Sequence, residues 1–315
     1  MISTSGTAVV AVGGNSLITD SKHTSLKDQA VAAEESMKHV AELVAAGWRV
    51  IVTHGNGPQV GFLLRRAELA VRELPAQPLD VLGADTQGAT GYLFSRALNE
   101  EFDRLGIDEE GVAIITQTVV DEDDPAFLTP TKPIGSFMSE EEASTHARDD
   151  GWAVVEDSGR GWRRVVPSPK PKRIVELTAI RTLWEAGFTV IAGGGGGIPV
   201  VEEGAHLRGV EAVIDKDYAT ALLASQLHAD VLIISTSVDA VAVGFNTPDQ
   251  RWLSTATVAE MRDYLAAGQF GRGSMAPKVE AAISFIEQGG QRVVITSPSH
   301  LTEAAAGAAG TTIVA

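Results

Sequence analysis

The chain has 315 residues, of which 44% are hydrophobic and 21% charged, a balance typical of a folded globular protein. Its formal net charge of −16 argues against a general nucleic-acid or anionic-membrane binder, because those partners attract basic surfaces. The chain has no cysteine, which excludes disulfides, thiolate metal sites and cysteine nucleophiles and fits a reducing compartment.

The N-terminal residues predict a strand rather than a targeting segment. "MISTSGTAVVAVGG" lacks the basic start and the longer apolar core of a signal peptide, and no later apolar run reaches the roughly 20 residues of a membrane span. We therefore expect a cytoplasmic protein without a membrane partner. Residues 7–12 predict a first buried strand, and further apolar runs predict strands at 112–116 and 231–235.

Three segments repeat one pattern, in which a helix with one apolar face ends at a glycine and a β-branched strand follows. They are, in chain order, 30–44 followed by 48–53, 174–184 followed by 188–192, and 279–286 followed by 292–296. Helices that alternate with buried strands imply parallel strands with helices on both faces of the sheet.

Glycine-rich loops follow three of the predicted strands. They are Gly13-Gly14-Asn15, Gly55-Asn56-Gly57 and the five glycines at 193–197. In open parallel sheets, ligands bind at the carboxyl ends of the strands, and glycine lets backbone N–H groups approach a phosphate. Each loop alone is equally compatible with a tight turn, but the three together favour a phosphate or nucleotide site. The sequence has no G-x-x-x-x-G-K-[ST], so this site is not a P-loop.

Residues 119–168 interrupt the helix–strand rhythm. The stretch is acidic and irregular, and it then turns basic at Arg163 and Arg164. We interpret it as an inserted subdomain or lid rather than a linker. Its small core is expected to contain two tryptophans and two valines, Trp152, Val154, Val155 and Trp162.

Three lysines are candidates for binding a phosphate. Lys132 lies between prolines, while Lys216 and Lys278 each lie at the start of a predicted helix. Asp215 is placed to cap the helix of Lys216, and Asp217 is placed to orient that ammonium. A lysine at a helix N-terminus opposes the helix dipole, so a bound anion would explain it, although a solvated surface role remains open for each lysine.

Two other features have ordinary structural explanations. His54 could be a base, but a packed or hydrogen-bonded histidine is the commoner case. The basic stretch "RRVVPSPKPKR" (163–173) could lie near an anionic substrate, but a solvated face is the better explanation for most of it.

Eight motifs resemble, in order, the successive signatures of carbamate kinase. They are "VGGNSL", "VTHGNGPQVG", "PLDVLGADTQGATGYL", "QTVVDEDDPAFLTPTKPIG", "RRVVPSPKPKRIVE", "GGGGGIPVV", "GVEAVIDKDYATALLA" and "GSMAPKVEAA". The resemblance implies the amino-acid-kinase fold over residues 1–315, an open three-layer α/β/α sandwich with a mainly parallel central sheet and a protruding subdomain. It also implies a homodimer.

The same resemblance implies reversible, Mg²⁺-dependent phosphoryl transfer between ATP and carbamate, giving ADP and carbamoyl phosphate, run toward ATP synthesis and associated with arginine metabolism. The implied catalytic residues are Lys132, Lys216, Asp217 and Lys278. The implied phosphate-binding and substrate-binding residues are Gly13, Gly14, Asn15, Gly55, Asn56, Gly57, Gly195, Gly196 and Gly197. The implied nucleotide-binding residues are Thr236, Ser237, Val238, Asp239, Ser274 and Met275, and no side chain is implied as a metal ligand.

One position departs from the family pattern. The family usually has T-D-V-[DN] after the strand at 231–235, whereas this chain has Thr236-Ser237-Val238-Asp239. The missing carboxylate leaves two alternatives, a divergent kinase of the same fold acting on another small carboxylate or phosphate, and a non-catalytic nucleotide sensor. The retained lysines argue against the sensor.

Overall fold

The computed structural model describes residues 6–13, 17–18, 22–157, 159–271 and 273–315. Within these ranges the helices are α1 (Leu26–Ala45), α2 (Gly57–Ala70), α3 (Leu79–Leu105), α4 (Glu140–Asp149), α5 (Leu177–Glu185), α6 (Lys216–Gln226), α7 (Val258–Ala266), α8 (Met275–Glu287) and α9 (Leu301–Ala305). None of these described helices combines the length and the apolar character needed to cross a bilayer.

The strands of the same ranges are β1 (Gly6–Val12), β2 (Trp48–His54), β3 (Gly111–Ala113), β4 (Gln117–Val120), β5 (Lys132–Met138), β6 (Ala153–Glu156), β7 (Trp162–Val166), β8 (Pro171–Ile174), β9 (Thr189–Ile191), β10 (Ile198–Glu203), β11 (His206–Gly209), β12 (Val231–Ser235), β13 (Val241–Val243), β14 (Arg251–Leu253), β15 (Thr255–Thr257), β16 (Arg292–Thr296) and β17 (Thr311–Val314).

An eight-stranded sheet forms the centre of the molecule, with the strand order β15-β17-β16-β12-β1-β2-β9-β3. Its neighbours pair in parallel except for β16 and β17. Side chains alternate between the two faces of β1: Val9 packs into a core with α6 and α8, and Val10 into a core with α1 and α3. The predicted three-layer α/β architecture is therefore confirmed.

The repeated helix–strand pattern is confirmed for its first and third copies. Ser25 and Asp28 form a capping box at the start of α1, and Gly47, with φ of 91°, lets the chain turn into β2. The second copy is wrong at its start. Ile174 ends β8, which pairs with β4, and α5 begins only at Leu177. Ile174 nevertheless packs into the same core as α5, which is why its spacing resembled a helical position.

A three-stranded sheet, ordered β5-β7-β6, and α4 lie between Lys132 and Val166. Beside them is a four-stranded sheet, ordered β11-β10-β4-β8. The expected core of this region is wrong in part: Val155 is 38% exposed, and Trp152, Val154 and Trp162 are only half-buried. The buried positions are instead Ile134, Ala143, Val165 and Val166. Ile134 and Val166 are buried because one face of the sheet packs against α2 and α3, and α4 contacts β6 and β7.

The parallel neighbours β12, β1, β2 and β9 all end at the same edge of the main sheet. The loops that follow them therefore lie side by side, as the sequence predicted for the glycine loops.

Candidate active site

A cleft of about 700 Å³ opens at this edge of the sheet. The ends of β1, β2 and β12 contribute Gly13, Asn56 and Ser237 to its wall, and Gly195 comes from the glycine run after β9. Lysines and acids from three further segments complete it, namely Lys132, Asp215, Lys216, Asp217 and Lys278.

The centre of the cleft is a carboxylate held between two ammonium groups. The Asp217 oxygens accept hydrogen bonds from Lys216 Nζ at 2.6 Å and from Lys278 Nζ at 2.8 Å. The three side chains are 5%, 12% and 14% exposed for Asp217, Lys216 and Lys278. Asp215 caps α6 by accepting from the Asp217 N–H at 3.0 Å, and α6 itself begins at Lys216, as predicted.

Charge and burial act against each other at this triad. Burial alone would raise the pKa of Asp217, but the adjacent Lys216 and Lys278 outweigh it and hold that pKa far below the ordinary value. Burial lowers the pKa of the Lys216 ammonium, and the nearby charge of Lys278 adds to the effect, whereas Asp217 opposes it. With Asp217 ionised, both ammonium groups are kept at the cleft and the triad has an excess positive charge for an anion.

Three helices begin at the cleft. The first residues of α2, α6 and α8 line it through Gly57, Lys216 and Pro277. The positive end of each helix dipole favours a bound anion. This arrangement supplies a local positive field in a chain whose net charge is −16.

The five-glycine run packs against side chains on which a Cβ would collide. A Cβ on Gly194 would lie 2.5 Å from the His54 ring, and one on Gly195 would lie 2.2 Å from Asn56 Nδ2. Four of the five glycines have φ between 62° and 91°. Close approach and a left-handed backbone together explain why the sequence uses consecutive glycines here.

Lys132 reaches the cleft from β5, on the three-stranded sheet. Its Nζ lies 2.8 Å from Asp215 Oδ2, and its side chain is 37% exposed, more than those of Lys216 and Lys278. The small sheet therefore contributes a cation to a site that is otherwise built at the edge of the main sheet.

A second cavity of about 280 Å³ adjoins the cleft and shares Thr236, Ser237, Ser274 and Lys278 with it. Its far end is lined largely by apolar and aromatic side chains, including Phe245, Trp252, Phe270 and Met275. The two spaces thus form one elongated site, charged at one end and apolar at the other.

A family model described as the Amino acid kinase family matches residues 6–297. The chain belongs to the amino acid kinase family.

Curated relatives and solved structures of this family cover nearly the whole chain. The carbamate kinase of Thermococcus kodakarensis is 47% identical over 97% of this chain and 98% of its own length. That of Halobacterium salinarum is 51% identical over 97% of both chains. The structure of carbamate kinase from Giardia lamblia bound to AMP-PNP is 40% identical, with a TM-score of 0.93 over 100% of this chain and 99% of the other. These matches confirm the resemblance to carbamate kinases and show that the chain is a kinase of this type.

The structure brings most of the sequence-predicted residues of this amino acid kinase to the elongated site. Lys132, Lys216, Asp217 and Lys278 line the cleft together with Gly13, Gly55, Asn56, Gly57, Gly195, Thr236, Ser237 and Ser274, and Val238 and Met275 line the second cavity. Gly14 and Asn15 lie outside the described residues.

Three predicted residues are placed differently. The N–H groups of Gly196 and Gly197 are already bonded to the carbonyls of Gly193 and Gly194, and a Cβ on either would collide with Ile214 or Thr118. Of the three glycines expected to hold the transferring end, only Gly195 lines the cleft. The Asp239 side chain is 77% exposed and lies 3.5 Å from His300 Nδ1, outside both sets of lining residues.

Sequence reasoning missed the residue that supports the glycine run. Gln87 on α3 donates to the carbonyls of Gly194 and Thr116, each at 3.0 Å, and accepts from the Thr116 N–H at 2.7 Å. Its signal in the sequence was weak, a polar residue in the middle of a long helix. The bond between Lys132 and Asp215 was missed as well, because the two residues are 83 positions apart.

His54 is packed rather than exposed as a base. It is 2% exposed, lies edge-on to Phe94 with 5.4 Å between ring centroids, and its Nδ1 is 3.0 Å from the Gly55 carbonyl. Burial lowers the pKa of His54 from 6.5 to about 4, the Gly55 carbonyl opposing and Lys216 adding to the effect. The neutral ring supports Gly194 of the glycine run and carries no charge at neutral pH.

This pKa shift predicts a pH-dependent stability. An unfolded chain protonates His54 near pH 6.5, whereas the folded protein keeps it neutral down to about pH 4. The contribution of the neutral His54 to the free energy of unfolding is therefore complete above pH 6.5 and is lost as the pH falls toward 4. From pH 7 to pH 5 the free energy of unfolding should fall by about 2 kcal/mol more in the wild type than in His54→Gln.

Urea titrations at fixed protein concentration would measure this difference. His206→Gln, which removes an exposed histidine, is the matched control and should behave like the wild type. Equal losses in the wild type and His54→Gln would contradict the prediction.

Proposed function

We propose that this protein catalyses reversible phosphoryl transfer between ATP and carbamate, giving ADP and carbamoyl phosphate. The observation that supports this most directly is the buried Asp217 carboxylate, which is bound by both Lys216 and Lys278. This triad lies in a cleft at which the N-termini of three helices begin. Relatives of nearly equal length are named carbamate kinases.

In this proposal, the three lysines neutralise the transferring phosphoryl group. Lys216 and Lys278 bind its oxygens from one side, and Lys132 approaches from the small sheet on the other. Asp217 does not touch the phosphate but fixes the spacing of the two ammonium groups. Catalysis of phosphoryl transfer depends mainly on such positioning and charge stabilisation.

The acceptor requires no general base, since a carbamate oxygen is already anionic. This fits a neutral, buried His54 that takes no part in proton transfer. Gly13, Gly55 and Gly195, together with the start of α2, would hold the carbamate end close to the backbone.

The nucleotide is proposed to occupy the rest of the site, with its base in the apolar cavity near Phe245 and Met275 and its phosphates directed toward Lys278. Mg²⁺ is proposed to enter as the nucleotide complex. The described residues contain no group of three or more histidine or acidic side chains suited to a metal, and Asp217 is committed to its two lysines. Mg²⁺ commonly keeps phosphate oxygens and waters as most of its ligands and, when bound, shields phosphate charge.

We further propose a homodimer that forms along α3 and the edge strand β3. The exposed face of α3 contains Val81, Gly88 and Tyr92, and Ile115, 47% exposed, lies just beyond β3. Edge strands and exposed apolar faces are commonly covered by a second subunit. Light scattering should then give twice the chain mass of 33.1 kDa, and a monomer mass would count against this interface.

Cytoplasmic location, a place in arginine metabolism and operation toward ATP synthesis complete the proposal. They are supported by the resemblance to carbamate kinases and, for location, by the cysteine-free sequence.

ATP formation from ADP, Mg²⁺ and carbamoyl phosphate tests the proposed reaction. Acetyl phosphate and a blank without protein are run in parallel, and the reverse reaction is followed with ATP and carbamate. Synthesis that is fast and selective for carbamoyl phosphate is expected. Efficient turnover of acetyl phosphate alone, or ADP binding without turnover, would exclude the proposed substrate.

A divergent kinase with another small acidic substrate is the second candidate, and Ser237 favours it. This exposed residue lies where the two cavities meet and where the family pattern has aspartate.

If the site is as proposed, Ser237→Asp should change the apparent affinity for nucleotide or Mg²⁺ by about 3- to 10-fold, because a new carboxylate would face the phosphate and its metal. Calorimetric titrations of ADP, with Mg²⁺ and without it, measure the effect, and Ser237→Asn controls for size without charge. Unchanged affinities for both ligands would show that this position lies outside the phosphate and metal path.

A further inference from the structure

Residues 211–215, which we call the docking segment, lie between the small three-stranded sheet and the glycine run. Ala212 and Ile214 are buried on the core side, and the Ile214 carbonyl is close enough to Gly196 to exclude a Cβ there. The alternate residues, Glu211, Val213 and Asp215, make the contacts to the small sheet and the chain that follows it. The segment thus connects that region to the floor of the cleft.

Each of the two acids in the docking segment joins a core helix to the small sheet. Asp215 accepts from the Asp217 N–H at the start of α6 with Oδ1 and binds Lys132 with Oδ2. Glu211 accepts from the Leu79 N–H at the start of α3 with Oε1 and from Arg164 with Oε2 at 3.3 Å. Between them, the Val213 N–H donates to the Pro167 carbonyl at 2.9 Å.

The face of the small sheet that packs against the core presents two cations to these two acids. Lys132 pairs with Val166, and Ile134 with Arg164, so all four side chains lie on one face. Ile134 and Val166 pack into a buried cluster with residues of α2 and α3. An apolar contact is therefore flanked by two cations, each of which has an acidic partner in the docking segment.

We propose that Asp215 is a positioning residue that holds Lys132 in the cleft, with Glu211 as a weaker second anchor of the same sheet. The proposal rests on the proposed function, because Lys132 is assigned there to the transferring phosphate. The same carboxylate caps the start of α6, where Lys216 and Asp217 lie, and binds Lys132, which reaches the cleft from the small sheet.

The chemistry of the two pairs explains why Asp215 is the stronger anchor. Asp215 is 14% exposed and 2.8 Å from its cation, whereas Glu211 is 52% exposed and 3.3 Å from Arg164, so water screens the second pair far more. A free lysine side chain samples many rotamers, and Asp215 restricts them. The ammonium has three donors, so one bond to Asp215 leaves two for a phosphate.

A double-mutant cycle tests whether Asp215 acts through Lys132. Asp215→Asn keeps a side chain suited to capping α6 but removes the charged partner of Lys132. It should lower kcat roughly 10- to 100-fold while the KM for ADP changes less than about 2-fold. In a Lys132→Ala background the same substitution should have little further effect, below about 3-fold. An equal loss in both backgrounds would overturn the proposal, since Asp215 would then act independently of Lys132.

Chemical labelling tests the contact without any activity measurement. Trace acetylation is quantified at Lys132 relative to Lys172, a 56% exposed lysine of β8 that serves as internal reference. The ratio should rise at least about 3-fold in Asp215→Asn, because an unanchored lysine is more accessible, and much less in Glu211→Gln. An unchanged ratio in Asp215→Asn would overturn the proposal. This test remains decisive even if Lys132→Ala has too little activity for the double-mutant cycle.

The activity assay and the labelling experiment test the proposed function and this proposal separately. A wild type that fails to use carbamoyl phosphate would refute the reaction, while the labelling ratio would still decide whether Asp215 holds Lys132. A melting temperature of Asp215→Asn within a few degrees of that of the wild type shows that the variant is folded.

Discussion

Replacing Lys216 with alanine is expected to lower kcat by about 100- to 1,000-fold, with a smaller change in the KM for ADP. The Lys216 side chain is only 12% exposed, and its ammonium is held by Asp217 beside Lys278 at the centre of the cleft. The substitution removes one of two closely spaced cations. Both lie where the negatively charged transferring phosphoryl group is proposed to bind. The effect should fall mainly on kcat because that charge is best stabilised in the transition state.

Lys172→Ala is the matched control, since it removes a lysine that is 56% exposed and paired with Asp121 away from the cleft. It should leave kcat within about 2-fold of the wild type. The α6 backbone is expected to persist in Lys216→Ala, because the Asp215 cap remains and the Lys216 carbonyl still accepts from Thr220. Near-normal turnover by a folded Lys216→Ala protein would remove Lys216 from the mechanism.

The parts of the site that could be predicted from the sequence are those fixed by local physics. Asp215 and Lys216 were placed at the start of a helix because an N-cap residue and the following apolar spacing are local signals, and the structure has both. The glycine loops were placed at one edge because parallel strands end there. The order of the motifs then identified the family from patterns that local physics alone does not supply.

The remainder depends on contacts between residues far apart in sequence. Gly196 and Gly197 have the same local character as Gly195, yet they pack on Ile214 and Thr118, and no local pattern distinguishes the three. Ile174 fits a helical spacing, but its pairing with β4, from a distant segment, makes it a strand residue. Tertiary contacts decide such positions, so local propensity gives the wrong element there.

Gly195→Ala is expected to lower the free energy of unfolding by about 2–5 kcal/mol and to reduce kcat by at least about 100-fold. Gly195 has φ of 66°, which an L-residue with a Cβ adopts only at a cost. The new Cβ would lie 2.2 Å from Asn56 Nδ2 and 2.4 Å from its Cγ, so the collision involves the body of the side chain and not a flexible tip. Asn56 is 8% exposed and donates to Thr86, which restricts its movement.

The Gly195→Ala protein that remains folded should therefore still have a reduced kcat. The reason is that the displaced Asn56 lines the cleft beside Gly57, where the carbamate end is proposed to bind. Gly83→Ala is the matched control: it lies within α3, and a Cβ there would meet no atom within 4 Å. A helical glycine in open space should gain about 0.5–1 kcal/mol on this change. Urea unfolding and kcat are measured for both variants at 25 °C. If Gly195→Ala matched Gly83→Ala in both kcat and the free energy of unfolding, close approach and backbone conformation would not explain the glycine at position 195. Gly195 would then have no role in the cleft.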